Sequence, residues 1–169
     1  MKKYIKILLT IVFVCLLCAC GKKQEEKPEI LLYPNAVELN GIMYVLNQDD
    51  SEYGINYKVA SNFRKTDTGN AINYFSEKVD GSEYFVFRIF HYNNKDIEYA
   101  IKDTTTEYDN RREETFNGIT YTVVHFNNFN GADTNIYYYT SNNTTYAFCF
   151  ISHIDISKLT EIFLNNVVY

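Results

Sequence analysis

The chain has no tryptophan, only two prolines and only seven glycines in 169 residues. So little Gly and Pro, with no internal repeat, excludes collagen-like, low-complexity and solenoid architectures for the bulk of the chain. The missing tryptophan weakens any reading as a carbohydrate-stacking platform. Basic residues are also scarce: 16 Lys and Arg stand against 21 Asp and Glu, a formal net charge of -5. That balance argues against a nucleic-acid partner, which needs a basic footprint. Three histidines occur, without an HExxH pattern, and GxSxG, SxxK, P-loop and Rossmann fingerprints are all absent. What is present is ordinary for a globular protein: 46% hydrophobic and 22% charged residues, with 17% aromatics supplied by 16 Tyr and 12 Phe. The length suits one domain with room for a core.

No hydrophobic run is long enough to cross a bilayer comfortably. From Ile7 to Ala19 every residue except Thr10 is apolar or small, and as a helix this stretch spans about 20 Å. A bilayer core needs about 30 Å. Lys2, Lys3 and Lys6 precede the run, and no acid appears before Glu25. Basic start and short apolar core together read as a secretory signal.

The stretch that follows, Leu17-Cys18-Ala19-Cys20, resembles the lipobox of bacterial lipoproteins. The resemblance implies cleavage between Ala19 and Cys20 and a diacylglyceryl thioether on Cys20. The resemblance thus makes Cys20 the expected lipid-attachment residue and membrane lipid the first expected partner. Two acyl chains hold stably where one holds marginally, at about 0.8 kcal/mol per buried CH₂. Residues 1–19 are then the signal peptide, residues 20–36 the lipidated N-terminus and tether, and residues 37–169 a single domain facing the extracytoplasmic side. Losing the three lysines of the signal shifts the formal charge from -5 to -8, and of the four cysteines only Cys149 keeps a usable thiol. An intramolecular disulfide is excluded on that account, and so acidic a domain is repelled by anionic lipid.

Alternation and hairpin signals dominate the mature part. Val37–Leu39 and Ile42–Leu46 flank Asn40-Gly41, and Gly54–Val59 reads as a strand after a polar loop at Asn47–Glu52. Ala71–Lys78 pairs with Glu83–Tyr92 across Asp80-Gly81. Glu114–Phe116 pairs with Ile119–Phe126 across Asn117-Gly118, and Asn135–Thr140 with Thr144–Ser152 across Ser141-Asn142-Asn143. Two helices fit: Lys95–Asp103, with Asn94 as N-cap and a Glu98–Lys102 pair, and a last segment capped by Asp155 with Ile156, Leu159, Ile162, Phe163 and Val167 on one face. The fold expected is α+β, a mainly antiparallel sheet of about six to eight strands covered by the C-terminal helix and one shorter helix.

This element order resembles the PsbP-like α/β sandwich over roughly residues 37–169. The most family-like parts are Asn117-Gly118-Ile119-Thr120-Tyr121 and Phe163-Leu164-Asn165-Asn166-Val167-Val168, and Ala60 departs from the proline such domains often carry after the second strand. The resemblance implies a domain that binds partners rather than one that catalyses, and it transfers no active site.

The residues themselves lead to the same place. Cys149 sits mid-strand between Phe148 and Phe150, where a thiol packs as a small hydrophobe. His91, His125 and His153 have no local metal-site spacing and read as core-edge or loop histidines. The acidic stretch 47–52 fails the EF-hand register, because Glu52 stands where Gly is needed and Lys58 where Glu is needed. Asp109, Glu113 and Glu114 surround Arg111 and Arg112 and read as a solvated mixed-charge segment; weak calcium binding at either acidic stretch is the competing reading. No catalytic, cofactor or metal site is assigned. The tyrosines stay open between two accounts. Tyr137-Tyr138-Tyr139, with Tyr44, Tyr57, Tyr74, Tyr84, Tyr92, Tyr121 and Tyr146 on strands, either expose an aromatic binding surface or serve as ordinary strand residues. The expectation is therefore a membrane-anchored, non-catalytic binding or interaction domain of the cell envelope, with an envelope protein, peptide or glycan as candidate partner. The alternative is a hydrolase-like envelope enzyme whose site forms only in the fold.

Overall fold

The computed structural model describes residues 34–39, 41–77, 83–105, 107–129, 132–152 and 157–169. The signal segment, Cys20, the tether as far as residue 33, Asn40, the Asp80-Gly81 turn, His153, Asp155 and Ile156 lie outside the described residues.

Strands β1 (Ala36–Leu39), β2 (Ile42–Glu52) and β3 (Ile55–Ala60) form a three-stranded sheet in chain order. A seven-stranded sheet contains β4 (Arg64–Asp67), β5 (Ala71–Glu77), β6 (Glu83–Asn93), β7 (Asn110–Phe116), β8 (Ile119–Phe129), β9 (Ala132–Ser141) and β10 (Thr144–Ser152). Its order is β4-β5-β6-β10-β9-β8-β7. Helix α1 (Ile97–Thr104) connects β6 to β7, and α2 (Ser157–Asn165) follows β10. Among the described residues every strand pairing is antiparallel. The described residues are thus α+β and mainly antiparallel, with two helices. Their strands number ten rather than six to eight, and they divide between two sheets.

The turns follow from residue chemistry. Asn117 and Gly118 have φ of 48° and 77°, and Asn142 and Asn143 have 48° and 62°. These are two-residue turns with both central residues left-handed, the geometry whose twist matches the flanking strands. Tyr53 and Gly54, at 54° and 85°, make a third such turn between β2 and β3. The supposed polar loop at residues 47–52 is therefore strand. β2 runs through it to Glu52, kinked by a bulge between Leu46 and Gln48.

Helix α1 also starts later than its periodicity implies. Asp96, not Asn94, is its N-cap: the Asp96 carboxylate accepts from the Tyr99 N–H at 2.8 Å. Asn94 instead adopts φ 56° in the preceding turn. Glu98 is joined to Arg111 of β7 at 2.7 Å rather than to Lys102, which ties the helix to the edge of the sheet.

The seven-stranded sheet is apolar on both faces. One face contributes Phe87, Ile89, Tyr121, Val123, Tyr137, Tyr146, Phe148 and Phe150 to the main core. Leu39, Tyr44, Leu46, Ile55 and Tyr57 of the small sheet join it, with Leu159, Ile162, Phe163 and Leu164 of α2. Phe163 lies at the centre, 4.8 Å from Phe87, 5.4 Å from Tyr57 and 5.7 Å from Phe148 between ring centroids. Burying one such ring is worth about 2–3 kcal/mol. A bridge of backbone bonds between Asn56 and Val168, both 2.8 Å, fastens the chain end to β3. The opposite face packs Val124, Ile136, Tyr138, Ala147 and Cys149 against Ala100 and Ile101 of α1.

Two meanders make up the large sheet: β4-β5-β6 on one side, β7-β8-β9-β10 on the other. They meet along a single seam, β6 against β10, from Thr144 opposite Asn93 to Phe150 opposite Phe87.

Candidate functional site

The tyrosines that offered an aromatic surface are mostly interior. Tyr44, Tyr57, Tyr74, Tyr121, Tyr137, Tyr138 and Tyr146 are all buried. The run Tyr137-Tyr138-Tyr139 alternates as a strand must, and both of its faces are covered, so alternation puts neither face in water: Tyr137 and Tyr139 meet the main core and Tyr138 the α1 side. The exposed tyrosines among the described residues are Tyr99 and Tyr108, which lie on and after α1.

Cys149 is buried on the α1 side. Burial pushes its thiol up to about 12, against an opposing pull from Arg88. That thiol is no nucleophile at neutral pH. His125 bonds through Nδ1 to the Asn135 side-chain oxygen at 3.1 Å. His91 stacks on Tyr53 with ring centroids 3.6 Å apart, and burial, partly offset by Asp67, holds its imidazole below the usual value. The two described histidines therefore sit apart, and no group of three or more metal-ligating side chains forms among the described residues.

The acidic stretches are tied into the fold. Segment 109–114 is largely the edge strand β7, where Arg112 donates to Glu114 at 2.6 Å. On β2, Lys65 from β4 bonds both carboxylate oxygens of Asp50, at 2.9 and 3.0 Å, and also Glu52. Tyr74 donates to Asp50 at 2.8 Å, and the Tyr57 and Tyr74 hydroxyls are 2.7 Å apart. A phenol has one proton to give. Since Tyr74 gives its own to Asp50, Tyr57 donates to Tyr74, and the chain of bonds runs from core to carboxylate. Burial pushes the Asp50 carboxyl up, but Lys65, Tyr74 and the Ser51 N–H together hold it below the usual range. Burial raises both phenols well above theirs; the hydrogen bonds to Tyr57 and Asp50 add to the rise at Tyr74, whereas the bond to Tyr74 opposes it at Tyr57. This network locks the small sheet to the large one; its donors and acceptors are spent on each other.

A different arrangement lies on the α1 face. The register aligns Asn73, Arg88, Cys149 and Ile136 in one row across β5, β6, β10 and β9. Arg88 interrupts the apolar run Phe85-Val86-Phe87 and Ile89-Phe90 of β6. Its Nε–H donates to the Asn73 side-chain oxygen, and its guanidinium lies over the Phe85 and Phe90 rings at 5.3 and 5.4 Å. Phe85 reaches that face because of a bulge between β5 and β6, which pairs Tyr74 with Phe87 and Phe75 with Phe85. A strictly alternating strand would leave Phe85 beside Phe87.

Arg88 forms one wall of a cavity of about 110 Å³. The sheet supplies Phe126, Thr134, Ile136 and Cys149 to its lining, and the last turn of α1 supplies Asp103 and Thr104. Thr104 is held in place: its hydroxyl lies 2.8 Å from the Ala100 carbonyl oxygen and is bonded to the buried Tyr138 hydroxyl. Beside the cavity the Tyr92 hydroxyl is buried with no partner in hydrogen-bond geometry. Burial, and then the nearby Asp103 carboxylate, discourage its ionisation. Among the described residues, neither Arg88 nor Asp103 forms an ion pair. The sequence holds one signal for this place, an arginine inside an apolar run, and it belongs to no motif.

No protein-family model and no curated protein matches the sequence. Among solved structures, a crystal structure from Bacteroides thetaiotaomicron VPI-5482 superposes with a TM-score of 0.44 at 9% sequence identity, over 68% of this chain and 44% of that one. The chain spans less than half the length of that neighbour. No helix among the described residues is long and apolar enough to cross a membrane.

Proposed function

We propose that the chain is a lipoprotein, held by an acylated Cys20 on the extracytoplasmic side of the cell membrane, whose folded residues act as a non-catalytic binding module of the envelope. The observation that carries the reading is the lipobox Leu17-Cys18-Ala19-Cys20, placed directly after a short apolar run with a basic start. Engagement of the reactive side chains supports the second half of the reading. Cys149 is a buried core thiol, His125 is bonded to Asn135, and Asp50 and Glu52 are held by Lys65. We take α2 as the cover of one face of the large sheet and α1 as the cover of the other, the arrangement that the resemblance to the PsbP-like sandwich implies.

Metabolic labelling of cells with an alkyne-tagged palmitate tests the anchor. The wild-type chain is expected to carry the label and to fractionate with membrane, and Cys20→Ala to lose both. Retention of label and membrane association by Cys20→Ala would refute the anchor. For the binding role, in-cell crosslinking of the lipidated protein is expected to capture an envelope protein, peptide or glycan; recovery of lipid alone contradicts it.

A further inference from the structure

The cavity under α1 holds two opposite charges that do not meet. Arg88 enters from β6 and Asp103 from the last turn of α1, and both line the same 110 Å³. An arginine and a carboxylate in one small space pair readily when nothing else competes, because the guanidinium fork fits a carboxylate. Here the guanidinium is kept elsewhere: Asn73 takes its Nε–H, and the Phe85 and Phe90 rings fix its plane. Of its five N–H donors one is used, and the four on the terminal nitrogens are left for a ligand. Asp103 is exposed at the other side of the space. A group that satisfies both walls must carry a negative end and a positive end.

Size and lining narrow the choice. The volume is below the roughly 150 Å³ of an apolar cavity that accepts benzene, so an aromatic side chain is too large to be enclosed. Phe126 and Ile136 offer an apolar wall for a small hydrocarbon group. Cation and anion on the protein sum to zero, so a ligand with no net charge leaves the site neutral.

We infer that this cavity binds the zwitterion of a small α-amino acid, with its carboxylate on the Arg88 guanidinium, its ammonium on Asp103 and its side chain against Phe126 and Ile136. The inference rests on the reading of the chain as a binding module and names that module's ligand class.

Isothermal titration of the full lipidated chain in detergent tests it, with L-alanine as the probe. Propionate lacks only the ammonium and ethylamine only the carboxylate. L-alanine is expected to bind at least tenfold more tightly than either, equivalent to about 1.4 kcal/mol. Arg88→Gln and Asp103→Asn are each expected to weaken L-alanine at least tenfold. Asp103 is exposed, so its amide variant keeps the fold, and an unchanged melting temperature checks this. Propionate or ethylamine binding within threefold of L-alanine overturns the inference. So does full affinity in Asp103→Asn, and so does no binding of L-alanine by the wild-type chain. These outcomes are read on purified protein, whereas crosslinking in cells reads the module itself. Capture of an envelope partner without L-alanine binding removes the ligand assignment alone.

Discussion

Removing one hydroxyl from the Tyr57–Tyr74–Asp50 chain should cost very different amounts depending on which one is removed. Both rings are buried, at 2% and 1% exposure, so phenylalanine fits either site and only the hydrogen bonds change. In Tyr74→Phe the Asp50 carboxylate loses a charge-assisted bond, worth about 1.5–3 kcal/mol, and the Tyr57 hydroxyl is stranded in the core at about 1–3 kcal/mol. Lys65 still holds Asp50, so the expected total lies near the lower sum, about 2.5 kcal/mol. In Tyr57→Phe the Tyr74 hydroxyl keeps its donation to Asp50 and loses one neutral partner, about 1 kcal/mol. The double variant strands nothing, so it should cost less than the two singles together, with a coupling of about 1 kcal/mol. Urea unfolding followed by far-UV circular dichroism, with a constant m-value, measures all three. A Tyr57→Phe cost equal to that of Tyr74→Phe, or strict additivity in the double variant, would refute the donor order argued here.

Two further expectations rest on single residues. Asp50 titrates lower in the folded chain than in the unfolded one, whose value is about 3.9. Its contribution is therefore complete above about pH 4 and is lost as pH falls through the folded value. The stability gap between wild type and Asp50→Asn should shrink on acidification below about pH 4; a gap flat with pH sinks the argument. Gly118→Ala at φ 77° meets no atom within 4 Å of its added carbon. Its cost is thus backbone strain alone, about 1–2 kcal/mol by urea unfolding, and a neutral result would show that the turn relaxes.

The fold was legible where local chemistry decides structure. Asn117-Gly118 and Asn142-Asn143 mark turns because few residues accept a positive φ, and apolar alternation marks the strands they join. The second half of β2 and the whole of β4 escaped for one physical reason. Residues 48–52 of β2 and all of β4 are polar, so neither carries a hydrophobic period. Their backbones pair with β3 and β5, and their side chains meet as Lys58 with Asp49 and Lys65 with Asp50 and Glu52, partners that no local period reveals. The tyrosines were ambiguous for another reason. Alternation assigns each to a face but does not say whether that face is covered, and here both are. Of the candidate site, Cys149 was legible as a mid-strand thiol and Arg88 left a trace as a charge inside an apolar run. Its partners Asp103, Phe126 and Ile136 reach it through strand order, which pairs β6 with β10 across 50 residues of intervening chain and cannot be read from spacing.

That same pairing sets an order of assembly. Each meander closes through short turns, whereas the β6–β10 seam joins Asn93 to Thr144, 51 positions apart. Local pairings form first because long loops carry the larger closure entropy. The seam is thus the late step of folding, and a chain caught before it presents two unpaired strand edges, β6 and β10. Both are long, rich in aromatic and β-branched residues, and free of proline. An intermediate of this kind would be prone to edge-to-edge association with its own copies, so the residues that close the sheet also decide whether newly made chains stay separate.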